Sequence, residues 1–282
     1  MTRKAADAAL AAGNLEDCRT ALFDAVRAAP DDPELRAFLF QYLCLVGDWE
    51  RADKQLDVLG EMTPASLDMV NDYRTAIRAE MVREAVWAGE ISPPIFGEPR
   101  DWMAKLVQAQ AHEARGETGP AHDLRAEALA EAPAEPGLLN GTRFAWFADA
   151  DTRLGPVFEM IINGEYHWIA MADVARLELH APKNVRDLVW AVCILTLTNG
   201  ASLPVFMPAR YPGAAQSGDA GLILGRRTEW TALAGEHAAG HGQRLFATDT
   251  GDLPALELRD LSFDNAVAAL AEQAALEADG DG

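Results

Sequence analysis

Apolar positions recur with a helical period through the first half of the chain. Residues 66–89 (SLDMVNDYRTAIRAEMVREAVWAG) place Leu67, Val70, Tyr73, Ile77, Met81 and Val82 at three- and four-residue spacing, which predicts one long helix. The segment Ser92-Pro93-Pro94-Ile95-Phe96-Gly97-Glu98-Pro99 predicts a loop, because its prolines and glycine interrupt any helix. Near Pro133 and Pro136 the helical period fades and β-branched residues rise. Residues 157–170 (VFEMIINGEYHWIA) flank Asn163-Gly164 with apolar runs, the pattern of a hairpin with a type I′ turn. Residues 193–207 repeat the device around Asn199-Gly200, and 242–263 turn near Thr250-Gly251-Asp252. Between the hairpins, 172–178 and 183–190 read as helical or irregular pieces.

The helical half is repetitive. Gly13-Asn14-Leu15-Glu16 and Gly47-Asp48-Trp49-Glu50 lie 34 residues apart, the tetratricopeptide period. The agreement continues through Cys18 and Ala52, Leu22 and Leu56, Ala25 and Leu59, and Pro30 and Pro64. Glycine ends the first helix of each pair, where positive φ costs it least. The large residue two positions on wedges between helices, and the small one three further lets them cross closely. Proline stops the second helix. A third unit follows Gly116-Glu117-Thr118, with Ala121, Ala128 and Pro133 at matching offsets. The intervening 66–89 segment lacks the internal glycine turn and counts as a degenerate unit. The fold class expected is α+β: a tetratricopeptide-like array of about eight helices over 1–139, a mainly antiparallel β-rich domain over 140–264, and an acidic, alanine-rich tail over 265–282. Stacked helix pairs leave a groove suited to a peptide or helix.

Charge narrows the partners. The 282 residues carry a net −20, and neither half is basic: 1–139 holds 14 Lys/Arg against 25 Asp/Glu, and 140–282 holds 10 against 19. Such a chain repels phosphate backbones and anionic bilayers, so neither nucleic acid nor membrane is expected as a partner. No signal peptide or bilayer-spanning run is visible, which points to the cytoplasm. Cys18, Cys44 and Cys193 are too far apart in sequence for a CxxC ribbon and read as buried thiols.

Candidate chemistry is sparse. Asp149 and Asp151 in ADADTRLGP fit a turn whose carboxylates accept backbone N–H bonds and pair with Arg153, rather than a calcium loop or a catalytic pair. His237 and His241, surrounded by glycines, fit a surface loop better than a zinc site. Residues 212–227 contain no phosphate-binding glycine motif and read as a mobile loop. No catalytic residue, metal site or cofactor is expected. Trp146, Trp168, Trp190 and Trp230 read chiefly as core residues.

The strings RFAWFADADTRLGPVFEMIINGEYHWI (143–169), DLVWAVCILTLTNG (187–200), PARYPG (208–213), GRRTEW (225–230) and GQRLFATDTGD (242–252), with 15–52 upstream, resemble the ImpE family, also called SciE or TagJ. The resemblance covers nearly the whole chain. It implies a cytoplasmic accessory protein of bacterial type VI secretion that binds the sheath subunit TssB and the ClpV ATPase. The expected function is therefore a non-enzymatic adaptor that links sheath to disassembly or modulates that step. By tetratricopeptide geometry the ligand groove draws on Glu34, Ala37, Gln41 and Leu45, then Leu106, Gln110 and Glu113. Arg210, Tyr211, Arg226 and Arg227 form a candidate second binding surface of basic and aromatic character. Two rival classes stand beside the adaptor: an enzyme with a site dispersed in the β-rich domain, and a structural module that forms homo-oligomers.

Overall fold

The computed structural model describes residues 3–63 and 67–264. Pro64 and the tail 265–282 lie outside them. Seven helices, where about eight were expected, occupy the N-terminal half: α1 (Arg3–Ala11), α2 (Leu15–Ala28), α3 (Pro33–Leu45), α4 (Trp49–Met62), α5 (Leu67–Trp87), α6 (Asp101–Ala114) and α7 (Thr118–Glu131).

Local sequence sets their ends. Asn14, Asp32 and Asp48 cap α2, α3 and α4 through side-chain bonds to backbone N–H groups. Gly13, Gly47 and Gly116 take φ of 78°, 72° and 74° at the turns between paired helices. Each turn closes with the same two bonds, as at α3, where Gly47 N–H reaches Cys44 O and Asp48 N–H reaches Leu43 O. Gly89 ends α5 with this motif too, although no helix follows it directly. Cys18, Ala52 and Ala121, the small residues of the three pairs, are fully buried.

The second half is a mixed sheet system. Nine strands run in the order β1 (Ile95–Phe96), β6 (Glu165–Ala170), β5 (Val157–Ile162), β9 (Ser202–Pro208), β8 (Trp190–Leu197), β7 (Val174–Leu179), β14 (Asp260–Phe263), β2 (Gly137–Leu139), β3 (Thr142–Phe144). All neighbours are antiparallel except β1 and β6. A three-stranded sheet joins β4 (Phe147–Asp149), β12 (Leu245–Thr248) and β13 (Gly251–Pro254), and a two-stranded ribbon joins β10 (Thr228–Ala232) to β11 (Ala238–Gly242). The fold is thus α+β with a large, mainly antiparallel sheet.

Several local expectations need correction. Residues 172–178 are mostly strand: a 3-10 turn at Met171–Asp173 leads into β7, with Val174, Leu177 and Leu179 buried and Arg176 exposed. Its Ala, Arg, Leu and Glu are good helix formers, and the pairing on both sides overrides that preference. The proline loop contributes β1, which adds to the sheet edge beside Trp168 and Ile169. Residues 212–227 are ordered by a 3-10 turn at Ala214–Gln216 and by the one-turn helix α8 (Ala220–Ile223). Of the hairpins, only Asn163-Gly164 has both turn residues at positive φ (52° and 80°); at 199–200 Gly200 alone does. The third hairpin is confined to β12 and β13, and β14 leaves it for the large sheet.

Two apolar cores result. One gathers α1–α7 with Val157, Ile161, Trp168 and Trp190 of the sheet. The other holds Phe144, Phe147, Phe158, Phe246 and Phe263 on the far side of the same sheet. Strand β5 lies between them with all six residues buried.

Candidate functional site

The seam between helices and sheet carries the densest chemistry. In β5 the side chains alternate: Phe158, Met160 and Ile162 enter the aromatic core, while Val157, Glu159 and Ile161 face the helices. Glu159 is fully buried. Arg83 of α5 reaches it with Nε–H to Oε1 at 2.8 Å and Nη2–H to Oε2 at 3.0 Å. Arg244 donates to it from the other side, and Trp87 Nε1–H and Tyr166 O–H also donate to Oε1. Burial by itself would raise this carboxyl; the Arg83 and Arg244 guanidiniums prevail and hold it well below the usual range.

The network extends both ways. Glu80 accepts from Trp190 Nε1–H at 3.0 Å and from Arg83. Arg244 bridges to Asp149, which also accepts from Tyr211 O–H at 2.8 Å and from Asp151 N–H at 2.9 Å. Burial pushes Asp149 up to about 6, with Arg244 opposing and Asp151 adding to the rise. Asp151 pairs with Arg153, as the spacing suggested, and accepts Gly240 N–H at 2.9 Å. A charge taken out of water is tolerated only when it is paired and hydrogen-bonded, and these four carboxylates meet that condition. The joined segments are distant in sequence: Arg83 and Glu159 lie 76 residues apart, Asp149 and Arg244 lie 95 apart.

Above this network lies a cleft of about 250 Å³. Trp49 and Trp87 form its walls, Glu80, Arg83 and Arg210 its floor, and Pro212–Gln216 its lip. Trp49 Nε1–H donates to Glu84 at 2.9 Å beside it. Among the described residues no group of three His, Cys, Asp or Glu side chains is placed to hold a metal. His241 lies within β11 and bonds Thr231 rather than sitting in a loop; the His237 ring lies tilted beside that of His122, centroids 5.2 Å apart.

The seven groove residues separate into two sets of three, with Glu113 apart from both. Glu34 is exposed and bridges to Arg3, while Ala37 and Gln41 are half-buried. These three line a cleft of about 390 Å³ with Arg3, Asp7, Phe38 and Lys183–Val185. Leu45, Leu106 and Gln110 are not at an accessible surface. Leu45 and Leu106 belong to the core that helices and sheet share, and Gln110 is turned inward to donate to Trp87 O. Glu113 is half-buried and holds the fully buried Arg125. Gln41 already has a partner in the chain itself, since its Oε1 accepts Val185 N–H at 3.0 Å.

The second set also differs from expectation. Arg210 and Tyr211 are buried, and Arg226 and Arg227 are exposed. Arg210 Nη1–H donates to Leu45 O at 2.9 Å and to Ile223 O, the last carbonyls of α3 and α8. Arg226 Nη2–H donates to Leu10 O and Ala11 O at the end of α1, at 3.1 and 3.0 Å. A helix C-terminus carries partial negative charge and unpaired carbonyls, so each arginine clamps a helix to the second half of the chain. Only Arg227, paired with Asp219 and Glu229, remains purely superficial.

Sequence inspection missed Glu80, Arg83, Glu159 and Arg244. One signal pointed to them, a lone glutamate inside the apolar run of β5; the helical period of α5 pointed the other way, since Leu67, Met81 and Val82 of its apolar series are exposed while Glu80 and Arg83 are buried.

Helical hairpins sealed face-on to a mainly antiparallel sheet by a buried ionic seam define the class of architecture. In overall fold the chain is similar to the crystal structure of protein VPA1032 from Vibrio parahaemolyticus, at a TM-score of 0.83 and 25% identity over 92% of this chain and 97% of that one. The model of the ImpE protein family matches residues 141–262. The chain is 45% identical, over 92% of its length and 91% of the relative's, to the type VI secretion system accessory component TagJ of Pseudomonas aeruginosa. The chain therefore belongs to the ImpE, or TagJ, family. Among the described residues no helix is long and apolar enough to cross a membrane.

Proposed function

We propose that the chain is a cytoplasmic adaptor of type VI secretion, without catalytic activity, that receives a helix of the sheath subunit TssB and engages the ClpV ATPase. The observation that carries this proposal is the 45% identity to the TagJ accessory component over 92% of the chain. The helix pairs serve as a tetratricopeptide-like array, and the cleft beside Glu34, Ala37 and Gln41 is the portion that the sheet leaves accessible. Its rim sets Asp7 and Glu34 beside Arg3 and Lys183, a mixed-charge border that suits an amphipathic helix. ClpV would meet a separate surface, with Arg227 as a candidate contact.

The test uses the full-length chain and purified TssB and ClpV from the same organism, by calorimetry. Truncation at 139 is unsuitable because it would bare the apolar face that Trp168 and Trp190 cover. Leu45→Asp is unsuitable too, since Leu45 is fully buried. Glu34→Lys and Ala37→Glu should each weaken TssB binding by about tenfold or more, roughly 1.4 kcal/mol, with unchanged melting. Asp252→Lys, exposed and distant in the sheet system, should not. Binding that ignores both cleft variants moves the site elsewhere. No binding of either partner at tens of micromolar, about −6 kcal/mol, ends the adaptor proposal.

A further inference from the structure

The ribbon β10–β11 has two unlike edges. Gln243 N–H bonds Arg227 O and Leu233 N–H bonds His237 O, so the odd-numbered residues of β10 exchange hydrogen bonds with β11. In an antiparallel pair the alternate residues then point their N–H and C=O groups outward. On β11 these are Ala238, Gly240 and Gly242, and the protein meets them: Thr152 bonds Ala238 through N–H and hydroxyl, Asp151 accepts Gly240 N–H, and Tyr211 N–H reaches Gly242 O. On β10 they are Thr228, Trp230 and Ala232, and no partner among the described residues meets their backbone groups.

The other outer strands among the described residues are short or carry proline. Strand β1 is two residues long, β3 and β4 are three each, and β13 carries Pro254. Strand β10 is five residues long, with neither lysine nor proline, and four of its five residues are exposed. Such an edge is a template for another strand. It also has a recognition feature. Gly240, opposite Trp230, has no side chain, and a Cβ there would lie 2.2 Å from Tyr211. The Tyr211 ring fills that space with Trp230 beside it, centroids 5.8 Å apart, leaving Trp230 42% exposed.

We propose that β10 is the acceptor edge for an extended, basic segment of a partner protein, which adds as a further strand along Thr228, Trp230 and Ala232. The backbone supplies hydrogen bonds, and the exposed part of the Trp230 ring, braced from behind by Tyr211, takes one arginine or lysine side chain from the added strand. The occupant is basic because a chain of net charge −20 repels both acidic segments and a second copy of itself. This inference is independent of the helix cleft, and its test uses neither TssB nor ClpV.

The probe is a capped nonapeptide of alternating threonine and valine with two lysines and a central arginine. It is compared with the same peptide bearing glutamate in place of each basic residue, and with one N-methylated at every second amide. The full-length chain and its Ala232→Pro variant are titrated. That proline removes an outward N–H and spares the β11 ladder. The basic peptide should bind, slow hydrogen exchange at Thr228, Trp230 and Ala232, and lose at least about tenfold in affinity with Ala232→Pro, N-methylation or acidic substitution. Melting of the variant should match the parent. The proposal fails if the basic peptide does not bind at about 1 mM, if N-methylation has no effect, or if the acidic peptide binds as well. Sedimentation showing the parent chain paired through this edge, and the Ala232→Pro variant single, would make a second copy the occupant and also overturn it.

Discussion

The two faces of β5 solve the same packing problem by opposite means. One face sets Phe158 within 6.0 Å of Phe147 and 5.8 Å of Phe246, ring centre to ring centre, in a core with no charge. The other buries Glu159 between two arginines, a tryptophan and a tyrosine. Apolar contact is non-directional and scales with buried area, so the aromatic face stabilises without dictating how helices sit. The ionic face is directional. Arg83 comes from α5 and Arg244 from the sheet system, and both meet Glu159 in only one placement of α5 against β5. The difference teaches that here the sheet is made by apolar alternation, while the docking of helices onto it is specified by a buried charge.

Removing the charge is the sharpest way to break that comparison. Glu159→Ala leaves Arg83 and Arg244 buried without their shared carboxylate and should cost about 3–5 kcal/mol in urea unfolding. Loss of near-ultraviolet tryptophan signal from Trp87 and Trp168 should accompany it. A cost below about 1 kcal/mol would mean that the ionic seam is incidental.

The next effect is one of pH. Asp149 is raised from 3.8 to about 6. A carboxyl raised by folding stabilises fully below its unfolded value and loses that contribution as the pH rises through the folded value. Stability should therefore fall by up to roughly 3 kcal/mol between about pH 4 and 6 on account of Asp149, and Asp149→Asn should abolish that slope. Glu159 has the opposite sign. Held low, its contribution is present above the ordinary carboxylate range and is lost only as the pH falls through its depressed value. Urea midpoints of parent and variant at matched pH check both signs.

On the aromatic face, Phe158→Leu should cost about 1–2 kcal/mol with the tryptophan spectrum unchanged, because that core can relax around a smaller apolar group. The smallest effect belongs to the helix clamps. Arg226→Ala frees the carbonyls of Leu10 and Ala11 at the surface and should cost under about 1 kcal/mol. Its signature is faster hydrogen exchange in α1 alone. Exchange that quickens throughout the sheet would show Arg226 to be part of the seam instead.

Much of the fold was legible because it is local. The Gly13, Gly47 and Gly116 turns, the Asn163-Gly164 hairpin and the Asp151–Arg153 turn follow from conformational needs satisfied within a few residues. Strand β7 was not legible, because Ala-Arg-Leu-Glu-Leu favours a helix until neighbours on both sides claim its backbone. Leu45, Leu106 and Gln110 were misassigned for a related reason: the helical period marks a face as apolar without saying what covers it. Arg210 and Arg226 looked like a patch because they lie close in sequence. Their partners, the carbonyl ends of α3 and α1, lie far from them along the chain and are invisible in any local pattern.

By itself the sequence determined the helix pairs, the hairpins, the ordinary burial of Cys18, Cys44 and Cys193, and an acidic surface that limits the choice of partners. These rest on short-range sterics, capping and periodicity, which the chain carries wherever it folds. Tertiary structure alone decided that Leu45, Leu106 and Gln110 would be buried. It also decided that Glu80, Arg83, Glu159 and Arg244 would be buried, and that one edge of β10 would stay unpaired among the described residues. A charge can leave water only where its partner is already in place, and a strand edge is free only if no other strand arrives. Both conditions depend on segments tens of residues apart meeting in space.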